Sequence, residues 1–323
     1  MTQHFGRLQD GLGTTQGFPR EGSFPGKQWD RDSAQRSLDE LFSLARQYKS
    51  SKAYRELLEF VARFRFYSPF NAMLVHIQMP GAKFVAPPNR WLRKYSCTIR
   101  AGARPLVILQ PRGPVMFVFD VVDAQPESGA LPLPREVLEP FAVRRGQIRG
   151  ELAKTIENAK RDGVAVSECQ FGSQRAGEIH QEKPGKYLEV QIKQKARPEY
   201  VHVPLRYGLL LNANHSIETK YATLVHELAH LYCGHLGSPN VQWWPDRRGL
   251  TDEVREFEAE SVCHLVCGRL GIDNPSEEYL ARYLKGNEES EIPPISLDGV
   301  MRAAGLIEQM GHERLKPRKE KER

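Results

Sequence analysis

Apolar residues recur every three to four positions in some stretches of the chain and cluster in short runs in others, and this contrast lays out the elements. Leu38, Leu41, Phe42 and Ala45, then Tyr54, Leu57, Leu58 and Val61, predict two amphipathic helices. Ser68-Pro69 caps a third over Phe70 to Gln78, which stops at Met79-Pro80-Gly81. The runs Pro105 to Gln110 and Val115 to Asp120 predict a strand pair joined by a turn at Pro111 to Pro114. Farther on, Ile148, Leu152, Ile156 and Ala159 mark a helix stopped by Asp162-Gly163, followed by extended runs at Val164 to Cys169, Tyr187 to Ile192 and Tyr207 to Leu211. Ser216 caps the next helix, Thr251 with Asp252 and Glu253 opens another that runs to Gly271, and Ser276 and Ser296 begin two more.

A chain of 323 residues is longer than one core usually holds, so two domains are expected in an α+β protein. Residues 1–30, rich in Gly, Gln, Thr and Pro, read as a flexible arm, and 31–125 as an α/β domain. Pro126, Gly129, Pro132 and Pro134 give 126–140 the composition of a linker. A second domain then spans 141–312, and 313–323 form a charged, frayed tail.

With 40% hydrophobic and 27% charged residues, the chain can build a packed core. It has no apolar run near the roughly 20 residues that cross a bilayer, and its first residues lack the charged and apolar regions of a signal peptide. No membrane association is expected, and the oligomeric state is left open. Five scattered cysteines without a Cys-x-x-Cys pair exclude a disulfide framework and a cysteine zinc knuckle, and fit a reducing cytoplasm. A net charge of +6 favours an anionic partner, nucleic acid before membrane.

The most informative string is His226-Glu227-Leu228-Ala229-His230. On a helix, residues four apart differ by about 40° around the axis, so both histidines can reach one ion. Glu227, about 100° on, can act as general base toward water without being a ligand. Neutral imidazole with carboxylate suits zinc, one ion. Ala222, Leu224, Val225, Leu228, Ala229, Leu231 and Tyr232 surround the motif with apolar residues, as a helix buried beneath a cleft requires. Two surface histidines on a solvated helix would have polar neighbours instead.

A third ligand has to come from elsewhere. His235, five residues past His230, would be rotated by about 140° and face away. The cluster Arg255-Glu256-Phe257-Glu258-Ala259-Glu260 lies on the next predicted helix, where Glu256 and Glu260 share a face and Glu258 points elsewhere. Glu256 would be the ligand and Glu260 an acceptor orienting a ligand histidine, while a solvated acidic face is the plainer alternative.

The earlier part of the chain interleaves cations with aromatics: Arg63, Phe64, Arg65, Phe66 and Tyr67, then Arg90, Trp91, Arg93, Lys94 and Tyr95, with Arg100 and Arg104 after. Single-strand binders use such mixtures, arginines following phosphates and rings stacking on bases. The same pattern also fits aromatic core with arginines over the surface.

Leu224-Val-His-Glu-Leu-Ala-His-Leu231 together with Glu256-x-x-Ala-Glu260 resembles the ImmA/IrrE-type zinc metallopeptidases, and among them the ArdC antirestriction group. The resemblance implies a zincin-like fold, a small sheet with the His-Glu-x-x-His helix and a glutamate helix, in which Glu256 is the third zinc ligand. Tyr67-Ser-Pro-Phe-Asn71-Ala-Met-Leu74, Asn89-Arg-Trp-Leu92, Ile99-Arg-Ala-Gly-Ala103 and Phe117-Val-Phe-Asp120 look like landmarks of that group's single-stranded-DNA-binding domain, although Pro69-Phe70 departs from its pattern. Arg63, Arg65, Tyr67, Asn71, Trp91, Arg93, Lys94, Arg100 and Arg104 are then the candidate DNA contacts. The expected function is a DNA-associated zinc metallopeptidase cleaving a protein substrate, with Tyr207 to Leu211 as an edge strand for the peptide. The alternative is a DNA-coating antirestriction protein whose zinc site is latent or structural.

Overall fold

The structure is a computed structural model describing residues 48–110, 113–130, 132–134, 137, 146–170, 176–193, 199–272, 280 and 291–318. The predicted arm, the helix at Leu38 to Ala45 and the helix opened by Ser276 lie outside the described residues. The fold is α+β with small sheets. Its described residues divide into two compact units, Val85–Leu133 forming one and those within Glu40–Phe84 and Pro134–Arg323 the other.

In the first unit, β1 (Val85–Ala86), β4 (Gly113–Asp120) and β3 (Leu106–Gln110) make an antiparallel sheet in the order β1-β4-β3. The predicted strand pair is thus present, although two residues of its turn, 111 and 112, are not described. Helix α3 (Pro88–Tyr95) starts with proline in its first turn and carries Trp91 and Tyr95 one turn apart on its buried face. Trp91 is fully buried, and its indole Nε1 donates to the Phe119 carbonyl at 2.9 Å. Strand β2 (Cys97–Ile99) pairs with β5 (Ala124–Pro126), so the start of the expected linker belongs to a sheet.

The second unit holds α1 (Ser51–Arg63), α2 (Pro69–Gln78), α4 (Glu151–Ala159), β6 (Val164–Cys169), β7 (Gly177–Gln181), β8 (Tyr187–Lys193), β9 (Glu199–Pro204), β10 (Tyr207–Asn212), α5 (Ile217–Tyr232), α6 (Asp252–Leu270) and α7 (Leu297–His312). Residues 51–78, expected in the first domain, therefore build the second. The reason is tertiary: α1 buries Tyr54, Leu57, Leu58 and Val61 and packs on α6, with the Tyr54 and Phe257 rings 5.5 Å apart. Arg269 on α6 then donates to the carbonyls of Val61, Phe64 and Tyr67.

The main sheet of this unit has the order β6-β10-β7, with β10 parallel to β6 and antiparallel to β7. Tyr207 to Leu211 is thus a central strand and not the expected edge; Tyr207, Leu209 and Leu211 are buried on one face, and Gly208 and Asn212 on the other. β7 is an outer strand beside α5, where a Cβ on Gly177 would stand 2.6 Å from Thr223 Cγ2. β8 and β9 form a separate antiparallel ribbon. The start of the expected tail is also tied down. Leu315 N donates to Asn158 Oδ1 at 3.0 Å, and Arg318 Nε to the buried Asp162 at 2.7 Å. No helix among the described residues is long and apolar enough to cross a membrane.

Candidate metal centre

Ser216 accepts from Thr219 N and starts α5, while Thr251 accepts from Val254 N and starts α6 with Asp252 and Glu253 in its first turn. The two helices run antiparallel, their contacts stepping from His230 with Glu256, to His226 with Glu260, to Ala222 with Cys263. Leu224, Val225, Leu228 and Ala229 bury the other faces of α5, so its histidine face is held in place by the core.

His226 Nε2 and His230 Nε2 stand 3.2 Å apart. Glu256 reaches both, Oε2 at 3.5 Å from His226 Nε2 and Oε1 at 3.5 Å from His230 Nε2. In a tetrahedral zinc site with bonds of about 2.1 Å, ligand atoms lie about 3.4 Å apart. The two histidine nitrogens stand close to that spacing, and each has one oxygen of the Glu256 carboxylate at about the same distance. Glu260 Oε1 lies 3.6 Å from His226 Nδ1, on the far side of the ring. Glu227 is half-buried on α5 next to His226.

Electrostatics describe the same pocket. Burial opposes a charge on His226, but Glu256 and Glu260 outweigh it and push the imidazole well above its usual range. His230 moves the other way, to about 3, through burial first and the neighbouring His226 second. Contact with His226 holds Glu256 below the ordinary carboxylate value against its own desolvation. Carboxylates gathered around two imidazoles draw in positive charge, which is the demand a divalent cation meets.

Residues 160–272 match the family model described as the IrrE N-terminal-like domain, Peptidase_M78. The matched stretch spans β6 through the end of α6 and so contains the whole cluster. None of the curated proteins matches the chain. Among solved structures, the chain is similar to a metal-free crystal structure of the antirestriction ArdC protein from plasmid R388. The two share 15% identity over 76% of this chain and 82% of that one, at a TM-score of 0.32.

One residue beside the metal cluster escaped sequence reasoning. His235 does not face away: its Nδ1 lies 3.0 Å from His230 Nδ1 and its Nε2 2.9 Å from Glu258 Oε2. The 140° rotation does not apply, because α5 ends at Tyr232. Gly234 takes φ +86°, Gly234 N donates to the Leu231 carbonyl, and His235 N donates to the His230 carbonyl. This closure of a helix on a left-handed glycine folds His235, the third residue past Tyr232, back over the last turn. A Cβ at Gly234 would sit 2.2 Å from the Pro245 carbonyl oxygen, so glycine is required there. Gly234 was the available signal. Glu258, which was expected to point elsewhere, does leave the metal cluster, but into a buried network with Arg247, His235 and the Ser296 amide.

The nine candidate DNA contacts divide between the units. Arg63, Arg65, Tyr67 and Asn71 are in the second, and Trp91, Arg93, Lys94, Arg100 and Arg104 in the first. Trp91 has to be withdrawn as a stacking platform, since a fully buried indole bonded to Phe119 offers no face to a base. Arg65 is an internal staple, donating to the carbonyls of Gly268 at 3.0 Å and Ala62 at 3.4 Å. Tyr67 stacks on Phe64, and the Asn71 backbone N–H donates to the capping Ser68 hydroxyl. Arg100 is exposed and paired with Asp123 at 2.7 Å. Arg63, Arg93, Lys94 and Arg104 are exposed.

Proposed function

We propose that this chain is a zinc metallopeptidase that also associates with single-stranded DNA. The observation that carries the reading is the triangle of His226, His230 and Glu256 at zinc-ligand spacing, with Glu227 on the same helix. His226, His230 and Glu256 would hold the ion, and Glu260 would orient His226 through the ring nitrogen that faces away from it. A zinc ion held there supplies Lewis acidity toward a carbonyl and a water molecule.

The remaining work belongs to the chain. Glu227 takes a proton from the attacking water and returns it to the departing amine. The peptide lies along β7, the outer strand beside α5, by strand pairing. The buried apolar faces of α5 fix where the two histidines point, so the carboxylate and the ligands meet the peptide in one arrangement. Cleavage of protein by the zinc-loaded chain should disappear in Glu227→Gln while zinc content and fold stay as in the parent. Undiminished cleavage in that variant would refute the mechanism.

The DNA reading rests on the exposed cations Arg93, Lys94 and Arg104 of the first unit, within a chain of net charge +6. Each phosphate contact removed should lower the slope of log affinity against log salt by about 0.7 on single strands. Reversal of Arg93 and Arg104 to Glu tests this by fluorescence anisotropy with an oligothymidine. Unchanged affinity and slope at low salt would remove DNA from the proposal and leave the peptidase standing.

A further inference from the structure

Beside the metal triangle, the buried side chains of His235 and Glu258 meet the partly exposed Arg247, brought together by α5's closing turn, α6 and the loop between them. Cys233 also lies near, and its thiol with His235 and Glu258 could in principle surround a second ion. The hydrogen bonds exclude that. Glu258 Oε1 accepts from Arg247 Nη2 at 2.8 Å and from Ser296 N at 2.6 Å, and Oε2 from Arg247 Nη1 at 2.6 Å and His235 Nε2 at 2.9 Å. Four donors fill the roughly four acceptor sites of a carboxylate, so none is left for a cation. Burial and the neighbouring Glu258 charge also push the Cys233 thiol up, away from the thiolate a metal would need.

We propose instead that His235 is a positioning residue: with Glu258 it forms a hydrogen-bonded chain that fixes which nitrogen of His230 carries the proton. The inference rests on the reading of His230 as a zinc ligand.

Proton counting gives the direction. Glu258, held by the Arg247 fork, is an ionised acceptor, so His235 Nε2 must carry the hydrogen of their 2.9 Å contact. An imidazole that binds an ion through Nε2 keeps its one hydrogen on Nδ1. The 3.0 Å contact between the two Nδ1 atoms then has His230 as donor and His235 as acceptor. His230 Nδ1 keeps its hydrogen and Nε2 is bare, and Nε2 is the atom that faces His226 and Glu256. The buried carboxylate on α6 thus selects, through two imidazoles, the tautomer a metal ligand must have. A protonated His235 would reverse the chain and put a hydrogen on the liganding nitrogen.

Long-range ¹H–¹⁵N correlation on the full chain labelled at histidine nitrogen reads the protons directly. It should show His235 protonated at Nε2 and bare at Nδ1, and His230 protonated at Nδ1. Zinc affinity by competition with a chelating dye supplies the second measurement. His235→Phe should bind zinc about 10- to 100-fold more weakly than the parent, and His235→Gln, whose amide oxygen can accept from His230, should recover most of the loss. A hydrogen on His235 Nδ1, or parental zinc affinity in folded His235→Phe, overturns the proposal. If the parent chain binds no zinc, the metallopeptidase reading fails, and the proton positions in the metal-free chain still decide the hydrogen-bonded chain. If His235→Phe does not fold, the same positions decide it in the parent.

Discussion

Replacing Arg269 with Met should unfold the second unit more easily than any surface change, and it tests whether α1 and α2 belong there. Arg269 is 6% exposed on α6. Its Nη1 donates to the carbonyls of Val61 at 2.8 Å and Phe64 at 2.9 Å, its Nη2 to Tyr67 at 2.6 Å, and its Nε to Glu308 at 3.0 Å. These carbonyls sit at and beyond the C-terminal end of α1, where helical partners run out. Charge-assisted bonds contribute roughly 1.5–3 kcal/mol each, and the cost of burying the cation offsets part of their sum. Methionine fills the stem's volume but strands the carbonyls and Glu308, for a net loss of about 4 kcal/mol. Urea unfolding should show a lower midpoint at unchanged slope. Hydrogen exchange should lose protection over 51–78 together with 252–270, leaving 97–126 as before. A loss below about 1 kcal/mol, or 51–78 changing in step with 97–126, would refute the reasoning.

Two further predictions concern stability. His76 is buried between Tyr48 and Phe60, and desolvation lowers its pKa from 6.5 to about 4. As pH falls from 6.5 towards 4 the unfolded chain takes up a proton that the folded one refuses, so stability declines across that window and levels off below it. The upper limit is about 3 kcal/mol, trimmed to about 2 by partial solvent access; His76→Phe should flatten the decline in pH-dependent thermal unfolding, and an unaltered slope would count against it. Arg318 pairs with Asp162 and lies over the Trp243 and Trp244 rings at 5.7 and 5.4 Å. Arg318→Ala should cost about 2 kcal/mol and speed proteolysis within 234–249, and an unchanged cleavage rate would show that this contact does not hold the loop.

What could be read from the sequence was mostly local. The caps Ser68, Ser216, Thr251 and Ser296 all accept from a backbone amide three residues on, because capping depends on a few neighbouring residues. The spacing of His226, Glu227 and His230 needed only a helix, and the acids of α6 needed only a second one. Features set by distant partners were hidden. β7, Gly-Glu-Ile-His-Gln, contains a single strongly apolar residue, and its strand conformation comes from pairing with β10. The mixture of cations and aromatics around Trp91 looked the same whether the ring faced a base or the core. The spacing of Trp91 and Tyr95, with Arg93 and Lys94 between them, was the hint that the rings form the inner face of α3. His235 was misread because helical rotation was carried past a glycine that ends the helix.

Metal content of the purified full chain tests the central claim most directly. Elemental analysis after dialysis against zinc should give one ion per chain, with a severe loss in His226→Ala, His230→Ala and Glu256→Ala and none in Glu227→Gln. Absence of zinc from the parent, or its retention at one per chain in folded His226→Ala and His230→Ala, would contradict the assignment of this cluster as the metal centre.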